Sequence, residues 1–93
     1  MSVPVTVYTM TRCPYCKTAK NLLDSLDVQY EEINLDVQPD RWKECEERSG
    51  RQTVPQIFWG DKHIGGCDDL LAIKKSGELQ KLVDEYRQAE AAS

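Results

Sequence analysis

The sequence predicts an α/β domain with the order β-α-β-α-β-β-α-α, and three observations lead there. Near the start, "VPVTVYT" sets Val3, Val5 and Val7 against Pro4, Thr6 and Tyr8, the period-two pattern of a strand. Next, Leu22, Leu23 and Leu26 follow Ala19 at three, four and seven positions, which is helical spacing. Later, "VPQIFWGDKHIGG" carries two short apolar runs about a Gly-Asp turn, a hairpin signal. A strand, a crossover helix and a second strand favour a right-handed parallel unit, whereas a hairpin is antiparallel, so both strand directions are expected.

The first strand tolerates Pro4 only near its beginning. A helix of roughly three turns is expected from Pro14 to Leu26. "VQYEEINL" is rich in β-formers, but its alternation slips between Tyr30 and Ile33, which suits an outer strand. In "QPDRWKECEERSG", Pro39 stands as a first helical residue and Gly50 as a C-terminal stop, with only Trp42 and Cys45 as a core face. After the hairpin, Asp68 or Cys67 is expected to cap a short helix that stops at Gly77. Leu79, Leu82, Val83 and Tyr86 then mark a last helix. The tail "QAEAAS", from about residue 87 to 93, is expected to fray.

The chain has 93 residues, enough for one compact domain and too few for two, so residues 1–93 are read as a single unit. With 40% hydrophobic and 30% charged residues it should fold as a soluble protein. Sixteen acidic against twelve basic side chains give a net charge of −4, which argues against a nucleic-acid partner. The start, "MSVPVTVYTM", has no basic leader and only a brief apolar run, so a strand is expected there and no signal peptide or membrane span. A cytoplasmic location follows as an expectation. In a reducing compartment the four cysteines, Cys13, Cys16, Cys45 and Cys67, are expected to be catalytic or metal-binding before they are structural.

"RCPYC", residues 12 to 16, is the densest chemistry in the chain. Two cysteines three apart at a helix start occupy one turn and can close and reopen a small disulfide ring. First-turn N–H groups lack intrahelical partners and favour a negative sulfur at the N-cap, so Cys13 is the expected nucleophile. Arg12 adds a cation, Pro14 starts the helix, and Cys16, one turn inside, is expected to resolve mixed disulfides. Zinc would need two further ligands, but Cys45, Cys67 and His63 form no second close pair. A permanent structural disulfide would call for an oxidising compartment.

Two further stretches have both plain and functional readings. "TVP", Thr53 to Pro55, is either a turn at a strand entrance or a cis proline whose neighbouring backbone pairs with an extended peptide. "GGCDD", Gly65 to Asp69, is either a turn and helix cap or a place where a helix N-terminus takes a carboxylate while an aspartate holds an amine.

Taken together, "CPYC", "TVPQIF" and "IGGCDDL", in that order and at that spacing, make the chain resemble a dithiol glutaredoxin of the thioredoxin-fold superfamily. The resemblance covers nearly the whole length. It implies a four-stranded mixed sheet flanked by helices on both faces, with glutathione as electron donor and no metal. Carried over by position, Cys13 and Cys16 are catalytic, and Tyr15 lines the glutathione groove. Thr53 and Val54 pair with the glutathione cysteinyl backbone beside the cis Pro55. Gly66, Cys67 and Asp68 take the γ-glutamyl carboxylate and amine. The family commonly carries a lysine three residues before the first cysteine, where this chain has Met10, and Arg12 is the candidate replacement. Trp42, with Arg41 beside it, falls where the family often presents a long polar or basic side chain.

The resemblance implies a glutathione-dependent thiol–disulfide oxidoreductase acting by two routes. A monothiol route through Cys13 reduces protein–glutathione mixed disulfides, and a dithiol route through Cys13 and Cys16 reduces protein disulfides. Its partners would be glutathione, glutathionylated and disulfide-containing proteins, with ribonucleotide reductase a candidate among them, and the protein would act as a monomer. Two rival readings stand beside it. One is a redoxin fed by thioredoxin reductase, against which the "GGCDD" loop speaks. The other is an iron–sulfur carrier bridged by Cys13, against which the proline after the first cysteine counts. Cys45 is expected to be a small core residue, Cys67 either a backbone contact or an extra thiol that becomes glutathionylated, His63 a solvated side chain, and Trp42 and Trp59 packing residues.

Overall fold

Strand β1, Val5–Thr9, lies at the centre of the sheet because both of its faces are covered. In the computed structural model, which describes residues 4–92 and the side chains of residues 4–89, the strand order is β2-β1-β3-β4. Strand β2, Glu31–Asn34, runs parallel to β1; β3, Gln56–Trp59, is antiparallel to β1; and β4, Lys62–Gly65, closes the hairpin on β3. This is the mixed four-stranded sheet of the thioredoxin fold. Val3 lies outside the described residues.

Helices α1, Pro14–Ser25, α3, Cys67–Ser76, and α4, Glu78–Ala92, cover one face. Their Ala19, Leu23, Leu70, Leu79, Val83 and Tyr86 pack against Val5, Val7, Ile57 and Trp59. Each of the valine, leucine and isoleucine side chains among them contributes about 1.5–3 kcal/mol on leaving water. Helix α2, Trp42–Ser49, preceded by a 3₁₀ turn at Pro39–Arg41, covers the other face. There Cys45 joins Tyr8, Ile33, Leu35 and Phe58, with Met10, Trp42 and Val54 packed at the margin. Gly50 ends α2 at φ 70°, the left-handed conformation expected of a helix stop.

Four sequence expectations need correction. Tyr8 was expected on a polar face and is fully buried, because α2 covers that side. The slip in "VQYEEINL" is a change of buried face: Val28 and Tyr30 pack with the α1 cluster, Ile33 and Leu35 with the α2 cluster, and only Glu31–Asn34 is strand. Helix α3 is capped by Gly66, not by Cys67 or Asp68, and Asp69, three residues on, closes the cap. Finally, α4 continues to Ala92 where fraying was expected, and Arg87 Nη2 donates to the Leu26 carbonyl at 3.2 Å. Ser93 lies outside the described residues.

Candidate active site

Cys13 is the N-cap of α1, with extended backbone (φ −132°, ψ 98°) that lets Pro14 take the first helical position without losing a hydrogen bond. The Cα atoms of Cys13 and Cys16 are 5.1 Å apart, and their sulfurs are joined as a disulfide. The Cys16 N–H donates to Cys13 Sγ at 3.1 Å, so a helix-start donor is aimed at this sulfur. Cys13 is partly exposed while Cys16 is buried.

The Val54–Pro55 bond is cis, and the Val54 carbonyl lies 3.9 Å from Cys13 Sγ. From there a groove of about 270 Å³ runs along Thr53, Val54, Pro55 and Gln56, bounded by Tyr15 on one side and by Gly66, Cys67, Asp68, Asp69 and Arg51 on the other. Seven of the eight residues expected at a glutathione site, Tyr15, Thr53, Val54, Pro55, Gly66, Cys67 and Asp68, therefore share one groove. Arg12 does not. It lies in a separate recess with Thr11, Cys13, Pro14 and Lys17. Nor does Arg41 reach the groove: it is held by Glu44 at 3.0 Å and faces Glu31 at 3.9 Å.

The far end of the groove is built by Asp69. Its Oδ2 accepts from the Gly66 N–H at 2.9 Å and from Arg51 Nη1 at 3.1 Å, and these two donors hold its carboxyl below the usual carboxylate range. Gly65 sits at φ +116°, and a Cβ there would run into that carboxylate. Cys67, 5% exposed, has its thiol pushed up by burial and then by the charge of Asp68.

Sequence reasoning missed Arg51, Gln56 and Asp69. Asp69 was open to detection, since an acidic residue three positions after the residue that precedes a helix is the capping-box offset. Gln56 carried a weaker signal, a polar residue inside an otherwise apolar strand. Arg51 carried none. His63, expected in solvent, is half-buried: its ring stacks on Phe58 with centroids 4.8 Å apart, and burial followed by Arg51 lowers its pKa. Cys45 is fully buried as expected, its thiol pushed up by burial. Trp59 packs edge-on to Tyr86 at 6.1 Å. Among the described residues no three His, Cys, Asp or Glu side chains converge as a metal site, and no helix is long and apolar enough to cross a membrane.

A dithiol at a helix start, facing a cis proline across a peptide-sized groove, defines a thiol oxidoreductase of the thioredoxin fold. The glutaredoxin family model matches residues 5–64. Glutaredoxin 3 of Escherichia coli strain K12 is 48% identical over 79 residues, 85% of this chain and 95% of that one. The glutaredoxin of Pseudomonas aeruginosa is 45% identical over 80 residues, covering 86% and 95%. Among solved structures, a glutaredoxin from Brucella melitensis superposes with a TM-score of 0.76 at 46% identity, covering 88% of this chain and 89% of that one. A buckwheat glutaredoxin–glutathione complex gives 0.81 at 36%, covering 89% and 78%. The chain belongs to the glutaredoxin family, and is thus a glutathione-dependent thiol oxidoreductase.

Proposed function

We propose that the protein reduces protein–glutathione mixed disulfides through Cys13 alone and protein disulfides through Cys13 and Cys16 together. The observation that carries this reading is the position of Cys13 Sγ, 3.1 Å from a donating helix-start N–H and 3.9 Å from the Val54 carbonyl at the mouth of the groove. The donor favours the thiolate, and the groove presents backbone to an extended peptide.

In the monothiol route the Cys13 thiolate attacks the glutathione sulfur of the mixed disulfide. A sulfur–sulfur bond forms on Cys13, the original one breaks, and the protein leaves as thiolate. A second glutathione thiolate then attacks the Cys13-bound glutathione, releasing oxidised glutathione and regenerating Cys13. In the dithiol route Cys13 attacks a protein disulfide, Cys16 displaces the protein to leave the observed ring, and two glutathiones reopen it. Glutathione would lie along Thr53 and Val54, its γ-glutamyl carboxylate at the start of α3 and its amine by Asp68. Arg12 and Lys17, which share a recess with Cys13, suit the negative charge that develops on the departing protein thiolate.

The partners are glutathionylated and disulfide-containing proteins, with ribonucleotide reductase a candidate, served by a monomer in the cytoplasm, where glutathione is kept reduced. The test is NADPH-coupled reduction of a glutathionylated peptide, with either glutathione plus its reductase or thioredoxin reductase, for wild type and Cys16→Ser. Turnover with glutathione that survives Cys16→Ser is the expected result. Turnover with thioredoxin reductase alone would replace this reading by that of a redoxin.

A further inference from the structure

Among the described residues Gln56 is one of two buried polar side chains, at 1% exposure, and its side-chain amide joins the wall of the groove to His63. Its Nε2 donates to the Thr53 carbonyl at 3.1 Å and to Thr53 Oγ1 at 3.1 Å. A carbonyl oxygen only accepts, so the atom facing Thr53 has to be the amide nitrogen. The other end of the side chain is then Oε1, which also only accepts. It lies 2.8 Å from His63 Nε2, so that ring nitrogen carries the proton and donates. The direction of each bond in the chain His63 to Gln56 to Thr53 is thereby fixed. His63 is held in turn: it lies opposite Phe58 in the β3–β4 register and stacks on that ring at 23°.

The Thr53 carbonyl matters because of what lies one bond further on. The cis bond is Val54–Pro55, and the Thr53–Val54 peptide is trans, so its C=O and N–H point to opposite sides. Drawing the Thr53 carbonyl onto a buried side chain turns the Val54 N–H away from the core. Among the described residues that N–H has no backbone partner, and Val54 lines the groove.

We propose that His63 and Gln56 are positioning residues for the reaction: they tether Thr53 so that the Val54 N–H is aimed, before binding, at the backbone of the glutathione moiety. Neither touches the reacting sulfurs. The tether does not depend on the protonation of His63, since neutral imidazole with the proton on Nε2 and imidazolium both donate to Gln56. Its contribution is to hold a donor in place that would otherwise be ordered only as the ligand arrives, so its loss falls on binding and spares the sulfur chemistry.

This inference rests on the glutathione reading above, and its test separates the two. Steady-state reduction of a glutathionylated peptide is measured for wild type, His63→Phe, Gln56→Met and the double variant. His63→Phe keeps an aromatic ring to stack on Phe58 and removes only the donor. The expected result is a KM for the glutathionylated peptide raised roughly three- to tenfold in each single variant, with kcat within about twofold of wild type. The double variant should match Gln56→Met, because the two residues form one chain of bonds. An unchanged KM in His63→Phe, a loss confined to kcat, or additive effects in the double variant would each overturn the tether. If Gln56→Met does not fold, the KM and kcat of His63→Phe alone decide. A wild type inert towards glutathione would instead remove the functional reading itself.

Discussion

Two helices, α1 and α3, both contribute to the groove, and each carries a cysteine at its start, yet the two thiols stand in different surroundings. Cys13 is the N-cap of α1, partly exposed, and receives the Cys16 N–H; no acidic residue stands in that first turn. Cys67 is the first residue of α3, buried, behind a Gly66 cap whose N–H goes to Asp69, with Asp68 adjacent. A helix dipole favours whichever anion occupies its start. At α1 that anion can be a sulfur, since the Cys16 N–H is aimed at Cys13 Sγ, whereas at α3 the cysteine is buried, and burial and Asp68 both push the Cys67 thiol up. Exposure and a backbone donor aimed at the sulfur, more than the dipole itself, separate the two thiols.

Alkylation gives the largest contrast. In the reduced protein at about pH 6.5, iodoacetamide should modify Cys13 at least about a hundredfold faster than Cys67, read by mass after digestion. Equal rates would erase the distinction. Next in size is Gly65→Ala, which places a side chain at φ +116° against Asp69. It should cost about 2–4 kcal/mol in urea unfolding by straining the backbone and opening the α3 cap. A loss within error of zero would mean the cap tolerates rearrangement.

Asp69→Asn probes the same cap more gently, keeping an acceptor for Gly66 and removing the charge that faces Arg51. Because the Asp69 carboxyl is held low in the folded protein, its contribution is complete above the unfolded pKa of about 4 and is lost as pH falls through the lower folded value. Wild type should therefore exceed Asp69→Asn in stability at neutral pH, and thermal melts from about pH 5 to about pH 2 should show the gap closing. A gap constant with pH would assign it to packing. The smallest effect is expected from Asp68→Asn, which removes the lesser of the two causes acting on Cys67. The pH midpoint for alkylation of Cys67 should fall without reaching that of Cys13, since burial remains.

Much of this site was legible because its parts are local. Cys13, Pro14 and Cys16 announce a helix start, Val54 and Pro55 a special turn, and Gly65 and Gly66 a close approach, each within a few residues. What escaped depends on distant pairs. Tyr8 reads as a polar face because its hydroxyl finds Glu44 and Arg48, 36 and 40 residues away, inside a packed layer. His63 reads as a solvated side chain because its partner Gln56 lies across the hairpin. Arg12, beside Cys13 in sequence, lines a different recess from the groove, since a residue just before an N-cap is not bound to the helix's direction. Spacing along the chain reports turns well and reports none of these long contacts.

The last helix carries a consequence for how the protein is made. Leu79, Val83 and Tyr86 complete the larger core, the Tyr86 hydroxyl accepts from the Gln29 N–H at 3.1 Å, and Arg87 reaches back to Leu26. The connection that leads out of the catalytic helix is thus fastened by residues about sixty positions later. During translation Cys13 and Cys16 emerge early, while the side chains that seat their helix are still to be added. The nascent chain therefore holds an exposed dithiol on an unfinished scaffold until α4 is released from the ribosome.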